Sequence, residues 1–169
     1  LCYDFAWELE SSPAELWPHV TNTERLNRAI QMSPPRWSAK PDADGRVRRR
    51  GHLSKAGLEI DWEEHPFEWV EGRRFGVLRE MTAGPFRWFV STVELAPRPG
   101  GGTTLTQQLK MEPTGVLGRA VAAVQVGFQT RRAMERVYRR IDAVIKGKAG
   151  PLADHFEEPA SLTRAQQQR

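Results

Sequence analysis

Hydrophobic and polar positions alternate at the start of the chain. Tyr3, Phe5, Trp7 and Leu9 fall on one side and Asp4, Ala6 and Glu8 on the other, the period-two pattern of a half-buried strand. Ser12-Pro13-Ala14-Glu15 then predicts a helix start. Ser12 can accept from a first-turn N–H, Pro13 suits the first helical position, and Glu15 can reach back to the cap. Pro18 keeps this helix short. A second short helix is expected from Asn22 or Thr23, carrying Leu26, Ala29 and Ile30.

A β-rich stretch follows. Pro34-Pro35 and Asp42-Ala43-Asp44-Gly45 are turn chemistry. Strands are predicted over 46–53, 58–64, 67–70, 74–82, 86–95 and 103–111. Breaks are expected at His65-Pro66, Glu71-Gly72, Gly84-Pro85 and the Pro97–Gly102 loop. Strands joined by turns this short pair antiparallel. The period then becomes 3.6: Leu117, Val121, Val124, Phe128, Met134, Tyr138, Ile141 and Ile145 trace one stripe. A helix from about Val116 to Lys146 would be about 46 Å long. Gly147 is a natural stop, and Gly150-Pro151 opens a polar tail whose end, from Leu162, could start another helix. The sequence thus divides into one domain over 1–147 and a linker or tail over 148–169.

One sheet with an apolar face needs a cover, and only the C-terminal helix is long enough. The predicted class is therefore α+β: a curved antiparallel sheet wrapped around a long C-terminal helix, with two short helices after the first strand. That order resembles the helix-grip fold of the START-like, Bet v 1-like superfamily, which includes polyketide cyclases. A closer resemblance lies in Pro13-Ala14-Glu15-Leu16-Trp17-Pro18, Thr23-Glu24-Arg25-Leu26-Asn27-Arg28-Ala29, Glu71-Gly72-Arg73-Arg74-Phe75, Arg79-Glu80-Met81 with Gly84-Pro85-Phe86, and Gly100-Gly101-Gly102-Thr103-Thr104-Leu105. These look like the START-like domain ahead of class III adenylate/guanylate cyclase domains in some bacterial proteins. The resemblance implies a cavity between sheet and helix and a regulatory setting beside a cyclase. It also implies that this chain is an excised module or a stand-alone relative.

Composition narrows the chemistry. At 169 residues, 39% hydrophobic and 27% charged, the chain can bury a core without disulfides or metal. The net charge of +4 is small for a nucleic-acid binder, and the arginines of 131–140 lack interleaved exposed aromatics. No nucleic-acid partner is expected. No apolar run approaches a membrane span. Leu1-Cys2-Tyr3-Asp4 has neither a basic start nor an apolar core, and Cys2 is the single cysteine, so a cytoplasmic setting is expected.

Catalytic motifs are sparse. The Gly100-Gly101-Gly102 loop lacks the Lys-Ser/Thr of a phosphate loop and leads into a strand. His19, His52, His65 and His155 have no ligand-spaced partner, no G-x-S-x-G occurs, and Cys2 has no site context. No metal, cofactor or catalytic residue is assigned. Of six acids between 59 and 71, Glu59, Asp61 and Glu63 alternate with Leu58, Ile60 and Trp62 and belong to the wet face. Glu64 shares parity with Trp62 and is expected to face inward. The arginines at 46 and 48–50 are placed to pair with the acidic strand.

Polar residues on inward parity remain: Arg79 among Phe75, Val77 and Met81, Ser91 beside Phe89, and Gln107 between Leu105 and Leu109. Buried polar groups need partners, so these three are satisfied internally, by water, or by a ligand. Trp62, Phe89, Gln125 and Phe128 would line the same space, while Trp88 has the opposite parity. The candidate ligand-binding set is therefore Trp62, Arg79, Phe89, Ser91, Gln107, Gln125 and Phe128. The leading expectation is binding of a small hydrophobic molecule in a sensory or regulatory role. One alternative is a polyketide cyclase/dehydratase-like enzyme using an inward pair such as Glu64 with Arg79. Another is a filled-core module that dimerises, or docks a cyclase domain, through the long helix. The Met134, Tyr138, Ile141 and Ile145 stripe is expected to pack on another subunit, a neighbouring domain or the tail from Pro151 to Phe156, because the helix outruns the sheet's width.

Overall fold

The structure, a computed structural model, describes residues 1–23, 26, 35–41, 45, 47–55 and 58–150. Most of the predicted second short helix and the tail from 151 lie outside the described residues. The chain order is β1 (Cys2–Leu9), α1 (Pro13–Val20), β2 (Arg36–Pro41), β3 (Val47–Lys55), β4 (Leu58–Val70), β5 (Arg74–Ala83), β6 (Phe86–Pro97) and β7 (Thr103–Pro113). A long helix follows, built from α2 (Gly115–Val121), a π-helical segment (Ala122–Thr130) and α3 (Arg131–Ile145). The described strands form one antiparallel sheet in the order β1-β7-β6-β5-β4-β3-β2. The sheet curls on the helix, the α+β helix-grip arrangement.

The capping box at α1 is complete. Ser12 Oγ accepts from the Glu15 N–H at 3.4 Å, and the Ser12 N–H donates to Glu15 Oε2 at 2.7 Å. The long helix starts at Gly115 and stops at Ile145, close to the predicted bounds. Two elements differ from the sequence reading. β2 is absent from that reading although Arg36, Ser38 and Lys40 alternate with Trp37 and Ala39, because the stretch is short and lies between Pro34-Pro35 and Pro41; its Trp37 packs edge-on against Trp62 at 5.6 Å. β4 also runs straight through His65-Pro66, where the sequence predicts a turn. Its pairing with β3 reaches only Glu64, and a bulge sits between Pro66 and Glu68. A proline is tolerated in a strand at such places.

Register sorts the inner face into cross-strand rows. Trp7, Leu105 and Leu95 form one, and Phe5, Gln107, Val93, Phe75 and Trp69 the next. Then come Tyr3, Leu109, Ser91 and Val77, and after them Met111, Phe89, Arg79, Glu64 and Arg49. Apart from Trp69, which is 61% exposed, the first rows are core. Leu9, Leu95, Leu105, Leu16 and Val20 are each no more than 1% exposed, and α3 closes over them with Met134, Val137, Tyr138 and Ile141.

That closure corrects the expectation for the apolar stripe of α3. Met134, Tyr138 and Ile141 are buried at home rather than offered to a partner, because α1 and β1 lie beneath this half of the helix. Trp7 meets Tyr138 at 5.1 Å between ring centres. Asp142 ties the layers by accepting from the N–H groups of Glu10 and Ser11 and from Ser11 Oγ, at 2.6–2.9 Å. The apolar surface left over lies at the other end: Val116, Leu117, Val124 and Phe128 are exposed.

Candidate functional site

Helix and α1 cover the inner face unevenly. The Phe75–Val93–Gln107 row is sealed, whereas Val77, Ser91, Phe89, Arg79 and Met81 are only half-buried. The partly covered area spans β3 to β6 and is apolar at one side and charged at the other. Its charged side is a single cross-strand row. Glu64, whose side chain is 10% exposed, takes Arg79 Nε on Oε2 at 3.0 Å. Arg49 Nη1 lies 3.4 Å from its Oε1. The guanidinium of Arg49 stands 3.9 Å from the Trp37 ring centre, and that of Arg79 stands 5.3 Å from Trp62. Cations over indole faces gain from the ring quadrupole, more so where water is thinned.

Trp62 is the wall between these cations. Its six-membered ring lies across Gly51 on β3, where any Cβ would overlap it. Only glycine lets β3 accept that ring. Trp62 is 6% exposed and its buried Nε1–H has no acceptor among the described residues.

The seven residues predicted as a ligand set do not all meet. Trp62, Arg79, Phe89 and Ser91 lie on the half-covered part of the inner face. Gln107 shares that face but is committed elsewhere: its Oε1 accepts from the Tyr138 hydroxyl at 3.5 Å, both groups being buried. Burial pushes the Tyr138 phenol well above its usual value, so it stays a protonated donor. Gln125 and Phe128 are exposed, and the expectation that Phe128 closes the interior is not met. In the π-helical segment Ala122 and Val126 are the buried residues, Gly127 faces Tyr3, and Phe128 carries Arg132 over its ring at 4.2 Å. The sequence reading takes α-helical spacing through this stretch, and nothing in the composition signals the wider turn. It also passes over Trp37, which needs β2 to be placed; Arg49 does meet the acidic strand, at Glu64.

The outer face is ionic. Arg48 meets Glu63 at 2.9 Å, His52 Nδ1 meets Asp61 at 2.7 Å, His65 meets Glu80 at 3.2 Å, and Arg74 meets Glu68 at 2.9 Å. These exposed pairs contribute little individually. Among the described residues no group of three or more His, Cys, Asp or Glu side chains is arranged to hold a metal ion. Two surface hollows lie apart from the half-covered area. One, of about 520 Å³, runs between β1 and α3 past Arg98, Arg131, Glu135 and Arg139. The other, of about 330 Å³, sits at β2–β4 beside Arg36, Ser38, Arg50 and His52, and touches Trp62. No described helix is long and apolar enough to cross a membrane.

No family model matches the chain, and no curated protein matches it. Solved structures do. TTHA0849 from Thermus thermophilus superposes with a TM-score of 0.57 at 16% identity, over 89% of this chain and 100% of that one. The Zhui aromatase/cyclase from Streptomyces sp. R1128 gives 0.57 at 10% identity, over 85% and 97%. Ara h 8.0201 gives 0.54 at 11%, over 87% and 98%. At such identities the likeness establishes a shared fold: this chain has the helix-grip architecture of an aromatase/cyclase and of Ara h 8.

Proposed function

We propose that the chain binds a small, largely apolar molecule on the half-covered inner face between β3–β6 and the N-terminal half of the long helix, in a sensory or regulatory role. The observation that carries this reading is the uneven cover. Val77, Met81 and Phe89 stay half-buried on a face where Phe75, Val93, Leu95, Leu105 and Gln107 are buried. Apolar surface left partly wet gains when a ligand covers it, at about 25 cal/mol per Å². The fold shared with an aromatase/cyclase supports it, and the resemblance to domains that precede nucleotide cyclases supports a regulatory setting. A partner domain or second copy would then read the occupied state through the long helix.

One observation favours the second, enzymatic reading. Glu64 and Arg79 do face inward and touch. Both Glu64 oxygens are engaged by arginine, however, which is the geometry of a structural ion pair rather than of an acid presented to substrate. Native mass spectrometry of the purified protein tests the binding reading, together with titration by the neutral dye Nile red. A retained small molecule, or saturable dye binding at one site, is expected. A bare protein mass with no saturable dye binding would overturn it in favour of a filled-core module.

A further inference from the structure

β1 lies at an edge of the sheet. Its hydrogen-bond phase against β7 is fixed at Leu1, which exchanges both main-chain bonds with Met111 at 2.7 and 3.0 Å. The register runs on from there without a shift, so the odd residues Tyr3, Phe5, Trp7 and Leu9 bond to β7. The even residues turn their N–H and C=O groups to the other edge. Glu10, next in that phase, shows where they point: its N–H donates to Asp142 on α3 at 2.9 Å. Before it, Ala6 and Glu8 present an unpaired main-chain edge among the described residues, in the hollow of about 520 Å³ between β1 and α3. A bare edge recruits another strand unless it is broken or covered, and β1 has neither proline nor bulge. The opposite wall is the α3 ridge of Arg131, Glu135 and Arg139. Arg139 pairs with Glu135 and Arg98 with Glu8, while Arg131 has no carboxylate partner among the described residues.

We propose that residues 151–156 of this chain dock here as a further strand, antiparallel to β1. The described chain leads to the place: Lys148 Nζ donates to the Glu10 carboxylate at 2.7 Å, and Arg140 Nη2 donates to the Gly150 carbonyl at 3.2 Å. Six extended residues cover about 17 Å, the run from Glu10 back to Phe5. Setting Ala153 opposite Glu8 and His155 opposite Ala6 gives each open residue a partner that has an N–H. The same register puts Pro151 opposite Glu10, whose N–H is already spent on Asp142, and proline suits the first position of a strand. Leu152, Asp154 and Phe156 then share the inner side with Leu9, Trp7 and Phe5, and Asp154 brings a carboxylate to the arginines of the ridge. Glu157 would oppose Asp4, and like charges directly opposite end the pairing at Phe156. A second copy fits worse, since two β1 strands centred on Ala6 would set Asp4 against Glu8 on both sides. The docking is independent of any ligand on the inner face.

The test reads amide exchange by NMR in the full chain and in the double variant Ala153→Pro, His155→Pro, which removes both donors that would face the edge. In the parent the Ala6 and Glu8 amides are expected to exchange about tenfold more slowly than in the double variant. The Phe5 and Trp7 amides, bonded to β7, should exchange alike in both, which reports an intact domain. Rapid exchange of Ala6 and Glu8 in the parent would overturn the proposal by leaving the edge open. Slow exchange untouched by the substitutions would overturn it as well, and protection that also grew with protein concentration would assign the edge to a second copy.

Discussion

At the residue scale, two polar contacts, one buried and one half-buried, decide how the layers meet. Gln107 is legible from strand parity as an inward polar residue. Its partner is not, because Tyr138 comes from the helix and no spacing rule links the two. The pair is satisfied internally, which removes Gln107 from the ligand set. Asp142 is the other. Burial alone would raise its carboxyl pKa, but donation from Ser11 and Glu10 and the nearby Lys146 charge hold it below its ordinary value. The sign follows. The unfolded chain takes up this proton first, near pH 4, so the stabilisation is present above that value and is lost as pH falls through the lower folded-state value. Asp142→Asn should cost about 1–3 kcal/mol at neutral pH, since an amide cannot accept from all three donors. Urea denaturation from pH 7 down to 3 should show the two proteins converge in acid. A constant gap across that range would mean the carboxylate's charge is not what matters.

At the element scale, the long helix shows what periodicity reveals and conceals. Its existence, length and stop at Gly147 are legible, because apolar residues recur at 3.6-residue spacing over α3. Through the middle the buried residues run Gly118, Ala122 and Val126, a spacing of four. On an α-helix a step of four drifts by about 40° per turn. The wider π-helical turn removes much of that drift and keeps the small residues against the sheet. Phe128 is rotated outward by the same geometry, and that is why α-helical spacing misplaces it. Gly118 is the tightest point: a Cβ there would overlap the Pro85 carbonyl and press on Pro113, both backbone-anchored. Gly118→Ala gains up to about 1 kcal/mol in helix propensity, while overpacking costs about 1–3 kcal/mol. Because the obstacle is a carbonyl in the β5–β6 turn, the clash should win and stability should fall. An alanine variant more stable than the parent, by chemical denaturation, would show that the helix start can lift from that turn.

At the scale of the whole molecule, the sheet has one closed end and one open end, and the helix inherits the difference. The exposed apolar end of the helix falls opposite to where the sequence predicts it. Strand order from sequence says nothing about where α1 sits, and α1 is what seals the C-terminal half. The row of Arg49, Glu64 and Arg79 is half legible for a related reason: parity gives Glu64 and Arg79, but only the register across β3 to β5 brings them to one line. Local stability should follow the cover, since few buried contacts mean easy opening. Amide exchange should be slow over 134–141, where Met134, Val137, Tyr138 and Ile141 are each no more than 7% exposed. It should be faster over 116–130, where Val116 and Phe128 are 85% and 55% exposed. Met134→Ala should then cost about 2–5 kcal/mol and Phe128→Ala no more than about 0.5 kcal/mol. Occupation of the half-covered face should slow exchange in the 116–130 stretch and leave 134–141 unchanged, because only the former borders the open end. Uniform protection along the helix without ligand, or slowing confined to 134–141 on adding Nile red, would place the responsive element elsewhere.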